Sequence, residues 1–361
     1  IWSISALLAE VRRRQEQSLA ERQLQAWVQH QNYKDCTALS NKLSPSSKQS
    51  ARIQGLMDQC RMGWRWQSAK VGALINSSGA LSALAFRPKR QMLVGGGEDG
   101  LLQLWSVASQ NKPLVLDESR LRIWSVAFNR EGRLLVSGGA DQTLSLWNAA
   151  TGQLVRTFKG HQGTIWSAAF HPNGQLVASG SQDGTIKLWQ VASGTLYRTL
   201  KPQSGAVRAI AFRPDTQALI SAGASQTITI WESETGQLST QLVGHKGRVV
   251  ALAVSKDGKR LASSSVDRSI KIWNLDTAQV MRTIATPDLT VETLAFNADN
   301  TTLAGGGGQT VWLWNAETGQ SIYQFSGSSS RVTATAFSPD GRQLAIAREN
   351  KLLSLLTSNT P

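Results

Sequence analysis

An all-β fold, a seven-bladed β-propeller preceded by a short α-helical segment, is what this 361-residue sequence predicts. Three observations carry the prediction. Six tryptophans, Trp105, Trp147, Trp189, Trp231, Trp273 and Trp314, recur at separations of 42, 42, 42, 42 and 41 residues. A period of ~40–45 residues ending in Trp marks a propeller blade. A large apolar residue in one register appears seven times, at Leu74, Leu116, Phe158, Leu200, Leu242, Ile284 and Phe325. Lastly, the sequence stops just after a third strand, Leu352 to Leu356, while Lys70 to Ile75 reads as a fourth strand with no blade before it. Pairing the two would close the ring and remove an open edge.

The elements of one period can be read from Gly160 to Gln190. Ile165 to Phe170 is an apolar strand, and His171-Pro172-Asn173-Gly174 supplies a tight turn. Leu176 to Ser179 makes a second strand, Gln182-Asp183-Gly184 a second turn, and Thr185 to Trp189 an alternating third strand. Leu196 to Leu200 reads as the fourth. Four short strands without a helix make a blade and not a βαβ unit.

A Gly-His pair opens the unit at Gly160-His161 and Gly244-His245, and an Asp stands six residues before the Trp at Asp99, Asp141, Asp183 and Asp267. In these features residues 67–361 resemble the WD40 family, in its bacterial-type, seven-bladed form. The resemblance implies a hydrogen-bonded network of Asp, His, a strand Ser/Thr and Trp that ties the turns of a blade to its third strand. Two units carry the full set: His161, Ser179, Asp183, Trp189 and His245, Ser263, Asp267, Trp273. The fourth unit has Ser225 at the Asp position and the sixth has Gly308, so those blades are expected to be less tightly held. The seventh has Glu349 there and Leu355 in place of Trp.

Residues 1–66 read as a helical N-terminal segment or linker. Glu10 to His30 lacks Gly and Pro, and Val11, Leu19, Ala20, Leu24, Trp27 and Val28 make an amphipathic stripe. Ala26 to Leu43 has a weak tetratricopeptide-like junction, and Ser44-Pro45-Ser46-Ser47 breaks the helix. Cys36 and Cys60 are the only cysteines. In a hairpin of helices over 32–43 and 47–61 they would be offset by roughly 9 Å, so two unpaired apolar core residues are expected. A disulfide would instead imply an oxidising compartment.

The charge of +14, from 38 basic and 24 acidic residues, is spread over the chain, since residues 1–66 hold ten Lys/Arg against five acids. It favours acidic proteins, nucleic acid or anionic lipid without specificity. No apolar run is long enough to span a bilayer. The sequence begins at Ile1, so a longer protein with this as its C-terminal part is expected. Ile1 to Ala9, ahead of Arg12-Arg13-Arg14, reads as an ordinary helix start or as the end of a membrane helix. The expected location is the cytoplasm, with a tether through a preceding part left open.

The family resemblance also places one residue of each first strand at the upper mouth of the channel. By register these are Ser82, Trp124, Trp166, Arg208, Val250, Glu292 and Thr333; two residues earlier stand Arg122, Thr164, Ala206, Arg248, Thr290 and Arg331. Trp and Arg are frequent interface anchors, so Trp124, Trp166, Arg208, Arg122, Arg248, Glu292 and Arg331 form the candidate partner-binding set. The competing reading is that the tryptophans only plug the channel. Trp312, among mostly polar equivalents, is expected to be packed.

Catalysis finds no support. His161 and His245 belong to the network, and His171 sits in a turn. The run Gly305 to Gly308 lacks the Lys-Ser/Thr of a phosphate loop, and no metal or cofactor motif is present. The sequence therefore predicts a non-catalytic protein-protein interaction scaffold or sensor module of a bacterial signalling or assembly protein. Its partner is expected to be an acidic protein or peptide, and the propeller itself monomeric. The alternative is a basic nucleic-acid or ribonucleoprotein-binding propeller.

Overall fold

Short alternating apolar stretches, separated by turns that need positive φ, fold into antiparallel meanders. In the third repeat Gly174 takes φ 75° and its N–H bonds the His171 carbonyl at 2.8 Å, which reverses the chain between two strands. The computed structural model describes residues 4–30, 32–67, 69–107, 112–117, 121–202, 205–326 and 329–358, side chains 4–9, 46, 70–74 and 117 excepted. Part of the Ile1–Ala9 stretch and the Leu74 side chain thus lie outside the described residues.

Two compact units emerge: the described residues of Ile1–Lys70 with Ser321–Gln324 and Thr357–Pro361, and Val71–Gln320 with Phe325–Leu356. The strands begin with β1 (Lys70–Asn76). Blade one holds β2 to β5 (Leu81–Phe86, Met92–Gly97, Leu101–Ser106, Leu114–Asp117) and blade two β6 to β9 (Ile123–Phe128, Leu134–Gly139, Leu144–Asn148, Leu154–Phe158). Blade three holds β10 to β13 (Ile165–Phe170, Leu176–Ser181, Ile186–Gln190, Leu196–Leu200). Blade four holds β14 to β17 (Val207–Phe212, Leu219–Gly223, Ile228–Trp231, Leu238–Leu242). Blade five has β18 to β21 (Val249–Val254, Arg260–Ser265, Ser269–Asn274, Gln279–Ala285) and blade six β22 to β25 (Thr293–Phe296, Thr302–Gly307, Thr310–Asn315, Ser321–Phe325). Blade seven has β26 to β28 (Val332–Phe337, Gln343–Arg348, Leu352–Thr357).

Six sheets run in chain order, and the seventh runs β1-β28-β27-β26. The first strands contact one another in a closed circuit, β2 to β6, β10, β14, β18, β22, β26 and back to β2. The protein is a seven-bladed propeller.

The core lies between blades. Leu144, Leu146 and Phe158 of blade two pack with Ile165, Val177 and Trp189 of blade three in one buried cluster. Close approach is made possible by small residues on the second strands. A Cβ at Gly96 would stand 2.7 Å from Ile123 Cγ2, at Gly138 2.7 Å from Ile165 Cγ2, and at Gly180 2.7 Å from Val207 Cγ1. At Gly306 the distance to Val332 Cγ1 would be 2.5 Å. Each glycine thus receives the first apolar residue of the following blade.

The helical unit holds α1 (Ile4–Gln29), α2 (Tyr33–Lys42), α3 (Pro45–Lys48) and α4 (Ala51–Gln67). Ala20 and Leu24 of α1 pack with Cys36, Ile53, Met57 and Cys60, and Trp27 and Val28 lie against that core. The expected stripe is therefore only partly buried: Val11 and Leu19 are 44% and 55% exposed. Trp64 and Trp66 belong to α4, where Trp66 is fully buried. Gly63 lies against the Tyr33 ring, where a Cβ would come within 2.2 Å. No described helix is long and apolar enough to cross a membrane.

Cys36 and Cys60 form a disulfide, with Cα atoms 5.6 Å apart, which corrects the expectation of unpaired thiols. The connection between α2 and α4 contains α3, and α4 starts at Ala51 instead of 47. Counted from the helix ends, the offset shrinks to roughly 4.5 Å at 1.5 Å per residue, which a disulfide spans.

Gly138→Val should lower propeller stability by about 1–3 kcal/mol by overpacking the seam with Ile165. Gly55→Ala, on α4 with nothing within 4 Å of the new Cβ, should instead stabilise the helical unit by up to about 1 kcal/mol. Denaturant melts of both variants check the pair.

Candidate functional site

The channel mouth is built on a repeated backbone irregularity. The pairing of first and second strands slips between Leu81 and Ala83, Ile123 and Ser125, Ile165 and Ser167, Val207 and Ala209, Val249 and Ala251, and Val332 and Ala334. The residue at each slip is Ser82, Trp124, Trp166, Arg208, Val250 or Thr333. In blade six β22 begins two residues later, at Thr293, and the Glu292 N–H bonds the Gly306 carbonyl at 2.7 Å. A bulge leaves one residue out of the ladder and re-aims its side chain. Six of the seven register positions are thus bulge residues, a feature that strand periodicity could not reveal.

On three adjacent blades these bulges bring together a run of aromatic and cationic groups. The Trp124 and Trp166 rings lie 4.7 Å apart at 55°. The Arg122 guanidinium sits 4.9 Å from the Trp124 centroid and the Arg208 guanidinium 4.4 Å from that of Trp166. All four are half-buried, whereas Arg248, Glu292 and Arg331 are exposed. Arg122 is ion-paired with Glu98 at 3.1 Å, and Arg331 with Glu292. Arg122, Trp124, Glu292, Arg331, Thr333 and Glu349 line a cavity of about 130 Å³. Cation–π stacking holds the two partly buried tryptophans in place.

The network residues serve structure. In blade three the Trp189 indole donates to Ser179 Oγ at 2.9 Å, His161 Nε2 lies 2.8 Å from the same oxygen, and His161 Nδ1 lies 2.7 Å from Asp183. Blade five repeats this with Trp273, Ser263, His245 and Asp267 at 2.8 Å throughout. Trp147–Ser137 and Trp231–Ser221, at 2.9 and 2.8 Å, add the same staple to two blades whose sets are incomplete. Blade one has Gly95 where these blades have serine, and the buried Trp105 indole finds no acceptor among the described residues. Blade four keeps the Trp–Ser bond, and Ser225 accepts from the Thr227 N–H at 2.9 Å as Asp does elsewhere.

Burial lowers the pKa of His161 and His245, against the opposing pull of Asp183 and Asp267. Burial alone would raise Asp183 and Asp267. The Gln162 N–H and Thr185 at Asp183, and Ser269 and the Lys246 N–H at Asp267, outweigh it and hold both near about 2. These groups are spent on holding turns.

The other ends of the first strands carry ties between blades that the sequence did not reveal. Arg87 donates to the Ala149 carbonyl at 3.1 Å, His171 Nε2 lies 3.2 Å from Ser233 Oγ, and Arg213 donates to the Leu275 carbonyl at 3.1 Å. All three span 62 residues, the same step into the next blade. His171, at its expected turn, is also buried on the Phe212 ring. Trp312 is packed, stacked on Trp314 at 6.2 Å. Among the described residues no group of three His, Cys, Asp or Glu side chains is placed to hold a metal ion.

Comparison with protein families agrees with this architecture. The family described as WD domain, G-beta repeat matches residues 70–106, 114–148 and 152–190, and the IFT122 first beta-propeller matches residues 206–360. The chain carries WD40 repeats, and WD40 propellers are in general non-catalytic scaffolds. Neither match bears on a bacterial type. No curated protein matches the chain.

The two His–Asp pairs set the acid limit of stability. A histidine whose folded pKa is depressed leaves the unfolded chain holding more protons, so stability is full above about 6.5 and falls as pH drops below it. The depressed aspartates remove more between about 3.9 and 2. Thermal midpoints should therefore fall from neutral to mildly acidic pH and again near pH 3. A His161→Asn, His245→Asn double variant should melt lower at neutral pH and show a smaller first step, the remainder coming from His171, whose pKa burial also lowers.

Proposed function

We propose that the propeller is a non-catalytic protein-interaction module whose contact surface is the channel mouth at Trp124 and Trp166. One observation carries the reading: two half-buried tryptophans stand side by side on bulges of adjacent blades, held by stacked arginines. Truly structural tryptophans of this chain look different. Trp189 and Trp273 are 3% and 1% exposed and donate their N–H groups to serines within their own blades. Partly exposed Trp and Arg supply large area at small entropic cost, which is what interface hot spots need. The arrangement supports a site for a peptide or protein segment inserted at the mouth of a rigid ring. It agrees with a place in a larger signalling or assembly protein, in which the helical unit would be a connector. The nucleic-acid alternative rests on the +14 charge and on the arginines Arg122, Arg208, Arg248, Arg331 and Arg348 expected near one face.

The Cys36–Cys60 disulfide supports an oxidising compartment over the cytoplasm expected from the sequence. Alkylation of the natural protein without reduction, followed by mass measurement, should find neither cysteine labelled; two labelled thiols would restore the cytoplasmic reading.

Trp124→Ala with Trp166→Ala should leave the thermal midpoint nearly unchanged and abolish capture of protein partners from the native lysate after nuclease treatment at high salt. Capture equal to the unaltered protein would refute the mouth as the contact surface. Capture that vanishes for both proteins on nuclease treatment would favour nucleic acid.

A further inference from the structure

The four arginines around the mouth are not equivalent. Arg122 and Arg331 are neutralised by Glu98 and Glu292. Arg208 and Arg248 form no ion pair or side-chain hydrogen bond with any described residue. They come from adjacent blades, Arg208 on the bulge of β14 and Arg248 immediately before β18. The two charges interact unfavourably: burial lowers the pKa of Arg208, Arg248 lowers it further, and only Glu292 opposes. A half-buried guanidinium without an acceptor, next to a second one, is a cost that a bound anion would remove.

The surroundings narrow the kind of anion. Trp124 and Trp166 stand against each other, and their remaining contacts include Arg122 and Arg208. The aromatic pair already holds cations, so capture of a cationic side chain there would place like charges together. A nucleic-acid backbone is disfavoured for the opposite reason. Phosphate chains need a continuous run of cations, whereas Glu292 and Glu349 line the cavity beside Trp124 and Glu98 pairs with Arg122. Of the four mouth arginines, Arg208 and Arg248 have no carboxylate partner among the described residues, and the Trp166 ring lies directly beside Arg208.

We propose that Arg208 and Arg248 together receive the carboxylate of an acidic residue in a bound peptide, whose neighbouring apolar side chain lies on the Trp124–Trp166 pair. The planar Arg208 fork, held by Trp166, is preorganised for a carboxylate. The partner is therefore a protein segment in which an Asp or Glu adjoins an aromatic or aliphatic residue. This rests on the reading of the mouth as a protein-binding surface, and the test separates the two.

The full chain is challenged with bead libraries of short peptides with randomised flanks around a central Phe-Glu, Phe-Gln or Phe-Lys, and separately with oligothymidylate. The Phe-Glu library should be retained about tenfold better than Phe-Gln. That preference should vanish in Arg208→Gln with Arg248→Gln at an unchanged thermal midpoint, and Arg208→Lys should restore part of it. Equal retention of Phe-Glu and Phe-Gln, both lost in the tryptophan double variant, would overturn the carboxylate receptor and leave the interaction surface standing. Retention of no library would overturn both. Oligothymidylate binding that disappears in the arginine double variant would overturn the proposal in favour of nucleic acid.

Discussion

Everything in the propeller depends on how closely the inner strands of neighbouring blades can approach. The ring tapers toward its axis, so the second strand of one blade must admit the first strand of the next. Gly96, Gly138, Gly180 and Gly306 leave the space that Ile123, Ile165, Val207 and Val332 occupy. The residue after each of these apolar residues lies out of the ladder. That residue is Trp124, Trp166, Arg208 or Thr333, and it sits on the bulge. The seam that closes the ring therefore also builds the mouth, which links packing directly to the candidate function.

Polar staples distribute unevenly around this frame. Within blades, the Trp–Ser bond spans blades two to five, while the His–Asp addition is confined to blades three and five. Between blades, side chains at the far ends of the first strands reach into the next turn, as Arg87, His171 and Arg213 do. A further link runs from Asn297 to the Gly341 carbonyl at 3.2 Å, joining blade six to blade seven. These ties leave from blades with and without a full internal network: blades one and six contribute Arg87 and Asn297, blades three and four His171 and Arg213. A ring can tolerate such gaps because every blade has two neighbours.

Much of the fold was legible because its signals are periodic. The 42-residue spacing of Trp residues and the recurring apolar marker gave the blade count, and turn residues gave the strand edges. What escaped was local geometry that no period encodes. The disulfide was missed because α3 shifts the start of α4, which changes the offset of Cys36 and Cys60 by several residues. The helical stripe was overdrawn because Val11 and Leu19 extend past the part of α1 that α2 and α4 cover. At the mouth, register alone selected Trp124, Trp166 and Arg208, but not the pairing of Arg122 with Glu98 or Arg331 with Glu292. Those ion pairs join residues 24 and 39 positions apart, on different blades.

That pairing changes what the net charge means. A value of +14 suggests a surface eager for any polyanion. At the mouth, however, three glutamates stand among the arginines, and the field there is patterned instead of uniformly positive. Long-range attraction set by total charge governs how often a partner arrives, and it fades beyond about 10 Å at moderate salt. Selectivity is set at contact, where a paired arginine offers little and an unpaired one beside a tryptophan offers a carboxylate two hydrogen bonds in a partly dry setting. In the proposed reading, the bulge that lifts Arg208 out of its strand matters more for recognition than the many cations spread over the remaining surface.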